Sequence, residues 1–576
     1  MTPVWSPHQL PSPEIPPVAA DAVLTGAANA YRDRIALRDG AQAMTYGELR
    51  DAALRVAGAL RARGLVPGDV AALHLPNTMW YVVAYYGALC AGLTVAPLNP
   101  AQPPEALRAQ LAECRARLVF THPAAVTAEP VAEVLSATGT VVHVPGSDVS
   151  PAPRGARLPD SWIPLTELLT APPLDGYRPD PGLVAHLQLT GGTTGRTKAV
   201  RVLHRNIVAN ILQSTSWRAC SLPYLDEDGG LRLERLAGAP DQSVPPGEGV
   251  NIAVAPLFHG LGLIGQNVNT LLGVTCVITA GRFDADRFVA DLETHRVTHV
   301  AGSPAMYYAM LRSPELARRD LSAMRMVTSG AAPIDSRALA RLRAALPTAS
   351  VNEGYGLSEA TMGVSMVPPG VTPPDGSVGR SMALTEIEIR AEDGRTVRPT
   401  GESGEIWVRG PQVTDGYQDE PELTAEQFVD GWLRTGDIGR LDGDGFLFLV
   451  GRAKDMLIYK GYNVYPQPLE DVLCSHPAVA QASVVGRPDP AAGEIPVAFV
   501  VLEPGARAEA ERADAFLTEL MAHVASRVAP YQRVREAHLV DALPLTPTGK
   551  VLKSTLRERL RPEGGAARET VPPTAP

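Results

Sequence analysis

The sequence has little cysteine, few aromatic residues and no signal segment. Cysteine occurs five times in 576 residues, and no two cysteines form a CxxC pair. This sparse, odd-numbered set does not support a disulfide framework and is typical of a reducing compartment. The N-terminus has no basic region followed by an apolar run, so it does not read as a secretory signal. We therefore predict a cytoplasmic location.

Long apolar runs are also missing. The most membrane-like stretch, residues 82–98, is interrupted by glycine, threonine and proline. These interruptions favour a buried helix that turns into a buried strand over a transmembrane span. The sequence therefore predicts no transmembrane segment.

Positive charge is not in excess. Lys and Arg number 52 against 62 Asp and Glu, which gives a net charge of −10. This balance argues against nucleic acid and acidic membrane surfaces as partners, but not against a small anionic substrate bound by local charges. Hydrophobic residues make up 45% of the chain, which is enough for a large core and excludes wholesale disorder.

The order of patterns along the chain predicts an α/β fold. Up to about residue 350, short apolar strands alternate with helical spacing, and Thr45 with Glu48 forms a capping box at one helix start. Residues 221–250 have the composition of a polar surface insertion. Residues 365–445 read as antiparallel strands and turns. A compact α+β pattern begins after about residue 455. The Pro-rich residues 1–20 and the tail 561–576 are predicted to be disordered.

One loop has the composition of a phosphate-binding loop. It reads TGGTTGRTK over residues 190–198 and follows a strand-like segment. Glycines let backbone N–H groups approach phosphate oxygens, threonine hydroxyls add donors, and a lysine adds charge. The alternative is a hairpin loop without a ligand. The candidate residues are Thr190, Gly192, Thr193, Thr194, Gly195 and Lys198.

Six further segments carry residue types with chemical uses. Glu359 is a possible Mg²⁺ ligand, and Tyr355 could present its ring to a base or acyl group. Asp437 and Arg452 could bind ribose hydroxyls or phosphate. Each could also be an ordinary turn or a solvated charge. The segments read PLFHGLG (256–262), SGAAP (329–333), NEGYGLSEA (352–360), GWLRTGD (431–437), GRAKD (451–455) and PLTPTGK (544–550).

Taken together and in this order, the motifs resemble those of the adenylate-forming superfamily. That superfamily includes acyl-CoA synthetases, luciferases and peptide-synthetase adenylation domains. The resemblance spans about residues 30–560, and TGGTTG with YKGYNVYP (459–466) is most similar to bacterial fatty-acid–CoA ligases. Thr197 and Ala199 depart from the usual proline and glycine, and QPLE (467–470) departs from the usual acidic helix start. These departures remove no chemical group that the mechanism needs.

The resemblance implies a domain organisation and a cofactor set. It implies an AMP-binding N-terminal domain over residues 21–453 and a small mobile α+β domain over residues 454–560, with the hinge at Lys454. The large lobe would combine α/β subdomains with a β-rich subdomain. The substrates would be a carboxylic acid, ATP with Mg²⁺, and coenzyme A as acyl acceptor.

The resemblance also implies a role for each matching residue. Thr193, Thr194 and Lys198 would hold the β- and γ-phosphates. Ser358 would contact the α-phosphate, and Glu359 would bind Mg²⁺. The adenine would lie between the turn at Gly330, Ala331 and Ala332 and the ring of Tyr355, while Asp437 and Arg452 would hold the ribose. Glu353 and Gly356 would also belong to the nucleotide-binding residues. Lys550 would bridge the α-phosphate and the attacking carboxylate, and Gly461 would line the pantetheine tunnel on a strand. The acyl pocket would be formed by Phe258, His259, Gly302, Gly330 and Thr361. His259 would also lie near the path of the thiol and would be catalytic, together with Lys550 and Glu359.

Several alternatives remain open at this stage. The acid could be fatty, otherwise hydrophobic, or aromatic such as a cinnamate. The acyl group could pass to the phosphopantetheine of a carrier protein instead of coenzyme A. A serine hydrolase using Ser358 is a more distant alternative, because GLSEA (356–360) lacks the second glycine of the GxSxG elbow. The oligomeric state is not indicated.

Overall fold

A computed structural model describes residues 12–126, 129–153, 158–191, 197–279, 283–506, 513–546 and 549–560. These residues form two compact units, which divide between Leu449 and Val450. The division falls just before the boundary that the motifs predict, after residue 453. The role of Lys454 as a hinge stays a prediction.

The strands of the first unit are mostly short, as expected for elements that alternate with helices. In chain order they are β1 (Ile35–Asp39), β2 (Gln42–Thr45), β3 (Val70–His74), β4 (Thr94–Leu98), β5 (Ala116–Thr121), β6 (Thr140–His143), β7 (Ile163–Pro164), β8 (Val184–Gly191), β9 (Thr197–Leu203), β10 (Ser221–Leu225), β11 (Leu231–Arg235), β12 (Val250–Ala253), β13 (Thr275–Ile278), β14 (His299–Gly302), β15 (Met326–Ser329), β16 (Ser350–Glu353), β17 (Ser365–Met366), β18 (Ser377–Ser381), β19 (Glu386–Arg390), β20 (Gly404–Arg409), β21 (Phe428–Val429), β22 (Trp432–Leu441) and β23 (Phe446–Arg452), the last of which crosses the division.

The α-helices of the first unit lie between these strands. In chain order they are α1 (Asp21–Tyr31), α2 (Tyr46–Ala62), α3 (Met79–Cys90), α4 (Pro104–Glu113), α5 (Glu129–Thr138), α6 (Leu165–Leu168), α7 (His204–Arg218), α8 (Gly260–Leu271), α9 (Ala285–Thr294), α10 (Pro304–Arg312), α11 (Ser336–Ala345) and α12 (Pro421–Gln427).

Two seven-stranded sheets dominate the first unit. Their orders are β7-β6-β5-β3-β4-β8-β9 and β16-β15-β14-β12-β13-β1-β2. All neighbouring strands run parallel except the edge pairs β8–β9 and β1–β2. A third seven-stranded sheet, β17-β18-β23-β22-β20-β19 with β21 beside β22, is antiparallel at the pairs β17–β18, β18–β23, β20–β22, β19–β20 and β21–β22. These findings confirm the α/β prediction and the antiparallel reading of residues 365–445.

Local sequence signals explain how several of these elements begin. The Thr45 hydroxyl accepts from the backbone N–H of Glu48 at 3.2 Å, and the Glu48 carboxylate accepts from the N–H of Thr45 at 2.8 Å. The predicted capping box is therefore present at the start of α2. Residues 82–98 form the end of the buried helix α3 and the buried strand β4, as predicted. No α-helix among the described residues is long and apolar enough to cross a membrane.

The prediction of a disordered segment up to residue 20 is wrong for its described part. Ile15 and Val18 pack against the main core, and Ala20 is fully buried. The backbone N–H of Ala20 donates to Nδ1 of His204 at 3.2 Å. The Pro-rich composition concealed that the apolar residues between the prolines pack against the main core. Residues 1–11 and 561–576 lie outside the described residues.

The surface insertion at 221–250 is more ordered than its composition suggests. β10 and β11 pair as an antiparallel two-stranded sheet. Leu231 in β11 is fully buried and belongs to the main core. A Cβ atom at Gly26 of α1 would collide with the backbone of Leu231, so the hairpin packs directly on that helix. The run of acidic and glycine residues at 226–230 forms the turn of the hairpin.

The second unit is a compact α+β domain. Phe516, Leu520 and Val524 form the buried face of one helix. Its strands are β24 (Leu457–Tyr459), β25 (Tyr462–Val464), β26 (Val479–Asp489), β27 (Gly493–Leu502) and β28 (Glu536–Leu539), and its helices are α13 (Pro466–Cys474), α14 (Ala513–Ala525) and α15 (Lys553–Arg559).

Gly461 does not lie on a strand, which corrects the sequence-based expectation. β24 and β25 pair as a hairpin in which Tyr459 faces Tyr462, so Lys460 and Gly461 form its two-residue turn. Their φ angles are +49° and +82°. Two consecutive positive φ angles are typical of a type I′ turn, where glycine is favoured because it has no Cβ atom.

Buried histidines are a recurring feature of the first unit. Burial lowers the pKa of His74, His122 and His204 to about 4, and that of His186 and His299 to about 3. His186 in β8 has neither ring nitrogen hydrogen-bonded among the described residues, and its ring meets the Tyr85 ring edge-on at 6.3 Å. Such a group resists protonation because its charged form would be desolvated.

We predict that His186→Phe makes the protein more resistant to acid. Between pH 6.5 and about 3 the unfolded chain binds a proton at His186 that the folded chain does not bind. The free energy of unfolding therefore falls as pH drops through this window, by up to about 1.4 kcal/mol per pH unit for one histidine. Phenylalanine keeps the ring and removes this contribution.

Urea unfolding at pH 7 and pH 5 tests the prediction. The difference in unfolding free energy between the two pH values should shrink in His186→Phe. The control is His295→Phe, which replaces a histidine at the partly exposed C-terminal end of α9. An unchanged pH difference in His186→Phe would contradict the burial argument.

Candidate active site

The candidate phosphate loop connects two antiparallel edge strands. β8 and β9 pair so that Thr190 faces Lys198. Gly192, Thr193, Thr194 and Gly195, which the sequence predicts to bind phosphate, lie outside the described residues. Lys198 is described, and its Nζ lies 5.6 Å from the centroid of the Tyr417 ring. The loop lysine is therefore positioned by an aromatic face, in the geometry of a cation–π contact.

Tyr417 also reaches the predicted magnesium ligand. Its hydroxyl donates to Oε1 of Glu359 at 2.8 Å. Burial, and secondarily the Glu359 carboxylate, raise the pKa of Tyr417. The backbone bridge between Tyr417 and Val200 fixes this side chain beside β9. Lys198, Tyr417 and Glu359 thus form a continuous line that joins the phosphate loop to NEGYGLSEA.

The surroundings of Glu359 fit a magnesium ligand. A carboxylate has two oxygens that can each accept more than one interaction, so the Tyr417 hydrogen bond leaves capacity for a cation. In the described parts of the chain there is no group of three carboxylate, histidine or cysteine side chains that could hold a metal. A magnesium ion on Glu359 would therefore need phosphate and water oxygens to complete its shell, which is its usual mode of binding.

A second hydrogen bond joins two distant motifs. The hydroxyl of Tyr355 donates to Oδ2 of Asp437 at 2.7 Å, and both side chains are buried. Asp437 lies on β22, where its backbone N–H donates to the Thr435 hydroxyl at 3.1 Å. The predicted adenine and ribose residues are therefore in contact. The next residue, Gly356, packs against the backbone carbonyl of Met362. A Cβ atom at this position would collide with that carbonyl, so the close approach requires glycine.

The ends of three parallel strands bring further motifs together. Gly302, Ser329 and Glu353 end β14, β15 and β16 and are neighbours in register. The backbone N–H of Gly330 donates to the carbonyl of Gly302 at 3.0 Å. The Glu353 carboxylate accepts from the N–H of Ile334 at 3.4 Å. The turn with Gly330, Ala331 and Ala332 therefore lies at the carboxyl edge of the sheet, where open α/β sheets bind ligands.

The PLFHGLG motif approaches the same region. Nε2 of Gln188 donates to the carbonyl of Phe258 at 3.1 Å. His259 precedes α8, and its Nδ1 accepts from the N–H of Leu261 at 3.3 Å, so a neutral His259 carries its proton on Nε2. A Cβ atom at Gly260 would lie 3.4 Å from the carbonyl oxygen of Thr361. Phe258, His259 and Thr361 are thus close, as expected for walls of one pocket.

Ser358 lacks the context of a nucleophile elbow. It begins a 3-10 turn, Ser358–Ala360, and the strand before it ends at Glu353. A nucleophile elbow places the serine directly between a strand and an α-helix. The structure therefore gives the hydrolase alternative no support.

The remaining predicted residues belong to the second unit. Arg452 ends β23, and Lys454 lies in the 3-10 turn Ala453–Asp455. Lys550 lies in a tight turn closed by the bridge between Leu545 and Val551. Its backbone N–H donates to the Thr546 hydroxyl at 3.0 Å. The turn fixes the backbone on either side of Lys550.

Two residues with clear positions in this site were not predicted from the sequence. Tyr417 connects Lys198 with Glu359, and Gln188 holds the backbone at Phe258. Tyr417 sits in the ordinary polar turn DGYQD (415–419), which carries no chemical pattern. The alternation of Gln188 with apolar residues predicts a strand. It does not predict that the Gln188 side chain contacts Phe258.

The motifs of the first unit thus converge on the carboxyl edge of the second sheet, as in a nucleotide-dependent enzyme. Comparison with known proteins agrees. Residues 24–418 match the AMP-binding enzyme family, and residues 468–550 match its C-terminal domain. A long-chain-fatty-acid–CoA ligase of Bacillus subtilis is 32% identical, over 96% of each chain. A 4-coumarate–CoA ligase-like protein of Oryza sativa is 35% identical, over 86% of this chain and 78% of its own.

A solved structure supports the same assignment. ATP-bound MatB from Rhodopseudomonas palustris has a TM-score of 0.78 and 27% identity, covering 94% of this chain and 99% of its own. The chain belongs to the AMP-binding enzyme family. It is an adenylate-forming acid–thiol ligase of the acyl-CoA synthetase branch, a family whose substrates are a small-molecule acid, ATP and coenzyme A.

We predict that Tyr417→Phe weakens magnesium-dependent catalysis. The substitution removes the hydrogen bond to Glu359 and keeps the ring beside Lys198. Hydrogen bonds to charged groups contribute about 1.5–3 kcal/mol, so kcat/KM for ATP should fall roughly ten- to a hundredfold. The Mg²⁺ concentration for half-maximal rate should rise.

The matched control is Tyr308→Phe. It removes a tyrosine–carboxylate hydrogen bond of 2.7 Å to Asp335, at the start of α11. Its Mg²⁺ dependence should equal that of the unmodified enzyme. Equal Mg²⁺ dependence in Tyr417→Phe would show that Tyr417 does not position Glu359.

Proposed function

We propose that this ligase activates a fatty acid or another hydrophobic carboxylic acid. The line of Lys198, Tyr417 and Glu359 carries the proposal, because it joins a lysine predicted to bind phosphate to a carboxylate predicted to bind magnesium. The carboxylate of the acid attacks the α-phosphorus of ATP. The bond between the α-phosphorus and the bridging oxygen breaks, pyrophosphate leaves, and acyl-AMP remains.

The second half-reaction forms the thioester. The sulfur of coenzyme A, as thiolate, attacks the acyl carbon of acyl-AMP, and the carbon–oxygen bond to AMP breaks. No protein nucleophile takes part in either step, so catalysis rests on positioning and charge stabilisation. Magnesium would neutralise phosphate charge where Glu359 holds it. Lys198, beside Tyr417, would contribute a positive charge to the same region.

The other predicted residues take these roles in the proposal. Tyr355, with its hydroxyl bound to Asp437, presents a fixed ring to adenine, against the turn from Gly330 to Ala332. Asp437 accepts a ribose hydroxyl with its remaining oxygen capacity. Phe258, His259, Gly302 and Thr361 border the acid.

We further propose that the second unit moves between the two half-reactions. Lys550 would bridge the α-phosphate and the attacking carboxylate during adenylation. Rotation at Lys454 would then withdraw Lys550 and bring the hairpin turn at Gly461 to the pantetheine path, while Arg452 stays with the ribose. The short turn at Lys454 joins β23 to the next hairpin, and element ends of this kind commonly act as hinges.

Two alternatives of the same chemistry compete with this proposal. An aromatic acid is favoured by the similarity to a 4-coumarate–CoA ligase-like protein. Acyl transfer to a carrier-protein phosphopantetheine would use the same adenylate. We place the enzyme in the cytoplasm, where the thiols of its five buried cysteines would stay reduced.

ATP–pyrophosphate exchange over a panel of fatty and aromatic acids tests the function. Exchange should depend on the acid and on Mg²⁺ and should be strongest with fatty acids. Addition of coenzyme A should yield the thioester. Exchange with aromatic acids only would show that the substrate is an aromatic acid and not a fatty acid. Formation of acyl-AMP without acyl-CoA would favour a carrier protein as the acyl acceptor. Absence of exchange with every acid would refute the proposal.

We predict that Lys550→Ala separates the two half-reactions. Removal of the ammonium should lower adenylation by roughly 10²- to 10³-fold, the scale of losing one charge-stabilising donor. Thioester formation from supplied acyl-AMP and coenzyme A should stay within a few-fold. Equal loss of both half-reactions would contradict the role of Lys550.

The complementary variant Lys454→Pro is the control for that separation. Proline fixes φ near −65° and so restricts rotation at the hinge. It should slow thioester formation more than adenylation, the reverse of Lys550→Ala. An unchanged overall rate would exclude Lys454 as the pivot.

A further inference from the structure

Arg218 is a buried cation with no anionic partner among the residues that the structure describes. It is the last residue of α7, and 9% of its surface is exposed. Its Nε is buried and unpartnered, and no side chain in the described part of the chain pairs with its guanidinium. Because a guanidinium stays protonated in proteins, this charge persists at all working pH values. A buried charge is strongly unfavourable unless an anion meets it.

Helix α7 connects Arg218 with the acid pocket. The Asn210 amide donates to the carbonyl of Gly363 and accepts from its N–H, each at 2.9 Å. Gly363 is two residues from Thr361, which borders Gly260. Asn210, Ser214 and Arg218 are spaced by four residues and share one side of the helix. Ser214 is buried as well. At 1.5 Å per residue, Arg218 lies roughly 12 Å along the helix from Asn210.

Tyr307 provides a second connection. Its ring carbon Cζ lies 3.8 Å from the position of a Cβ atom at Gly302, a predicted wall of the acid pocket. The Tyr307 hydroxyl donates to the carbonyl of Thr328 at 2.9 Å. Tyr307 is also within electrostatic range of Arg218, whose pKa burial lowers and Tyr307 partly restores. Arg218 is therefore within electrostatic range of a residue that contacts Gly302.

The side chain of Met306, which packs against Gly302, lies between the predicted acid pocket and the region of Tyr307. A Cβ atom at Gly302 would collide with the Met306 side chain, so this thioether lies over the glycine. Methionine has three rotatable bonds and adapts its shape at small cost. A chain that enters past His259 and Gly302 could displace Met306 and continue toward Tyr307 and Arg218.

We propose that Arg218 binds an anionic group at the far end of the substrate, so that the enzyme prefers acids with a second carboxylate over plain fatty acids. This inference rests on the proposed function and specifies its substrate class. One carboxylate is activated at the phosphate loop, and the chain crosses the apolar interior beside Met306 and Tyr307. The second carboxylate accepts hydrogen bonds from the Arg218 guanidinium, which suits a carboxylate in two-pronged geometry.

Matched acids test this inference in the unmodified enzyme. Straight-chain dicarboxylic acids, their monomethyl esters and monocarboxylic acids of equal length are compared by ATP–pyrophosphate exchange. At the best length, kcat/KM should be at least tenfold higher for the dicarboxylic acid than for the other two. Preference for the monocarboxylic acid at every length would overturn the inference and leave the proposed function standing. Exchange with no acid at all would instead refute the proposed function.

Substitutions at Arg218 test the same point. Arg218→Met should abolish the preference by lowering kcat/KM for the dicarboxylic acid at least tenfold while sparing the monocarboxylic acid. Arg218→Lys should retain part of the preference. Arg205→Met is the control, because Arg205 is an exposed arginine at the start of the same helix.

The melting temperature distinguishes a specific effect of the substitution from misfolding of the variant. Loss of an uncompensated buried charge should raise the melting temperature of Arg218→Met without substrate. A dicarboxylic acid with ATP should then raise the melting temperature of the unmodified enzyme more than that of the variant. An unchanged preference in a folded Arg218→Met protein would show that water alone solvates Arg218.

Discussion

The register of the parallel strands in the second sheet is the constraint on which the site depends. Parallel strands present all their carboxyl ends at one edge, so the segments that follow β14, β15 and β16 must meet there. Gly302, Ser329 and Glu353 are neighbours across these strands. A one-residue slip in any strand would turn its side chains to the other face and separate the motifs.

Hydrogen bonds to carboxylates then fix the side chains that this edge brings together. Tyr355 binds Asp437 across 82 residues of sequence, and Tyr417 binds Glu359 across 58. A carboxylate in a partly dry site needs such donors, because desolvation of its charge is costly. Each tyrosine satisfies one carboxylate and leaves oxygen capacity for a ligand. The same bonds that stabilise the fold therefore preorganise the site.

Arg218 contrasts with these satisfied groups. Most buried polar side chains of the first unit, such as Asn210 and Gln213, bond to backbone or amide groups from other segments. Arg218 has a permanent charge and no such partner among the described residues. A buried positive charge needs an anion, as the buried carboxylates of the site need donors. In our proposal the substrate supplies that anion as a second carboxylate.

The sequence by itself determined the fold class, the order of the motifs and the chemistry of the site residues. Periodicity located α3 and β4, the capping box located the start of α2, and the seven motifs indicated the family. These features are local, because each depends only on residues that are close together in the sequence. The tertiary structure decided what depends on distant contacts. It buried the segment before α1 and Leu231, placed Gly461 in a turn, and connected Tyr417 to Lys198 and Glu359. Burial and long-range pairing arise only when separate segments meet, and for that reason neither Tyr417 nor Arg218 stood out in the sequence.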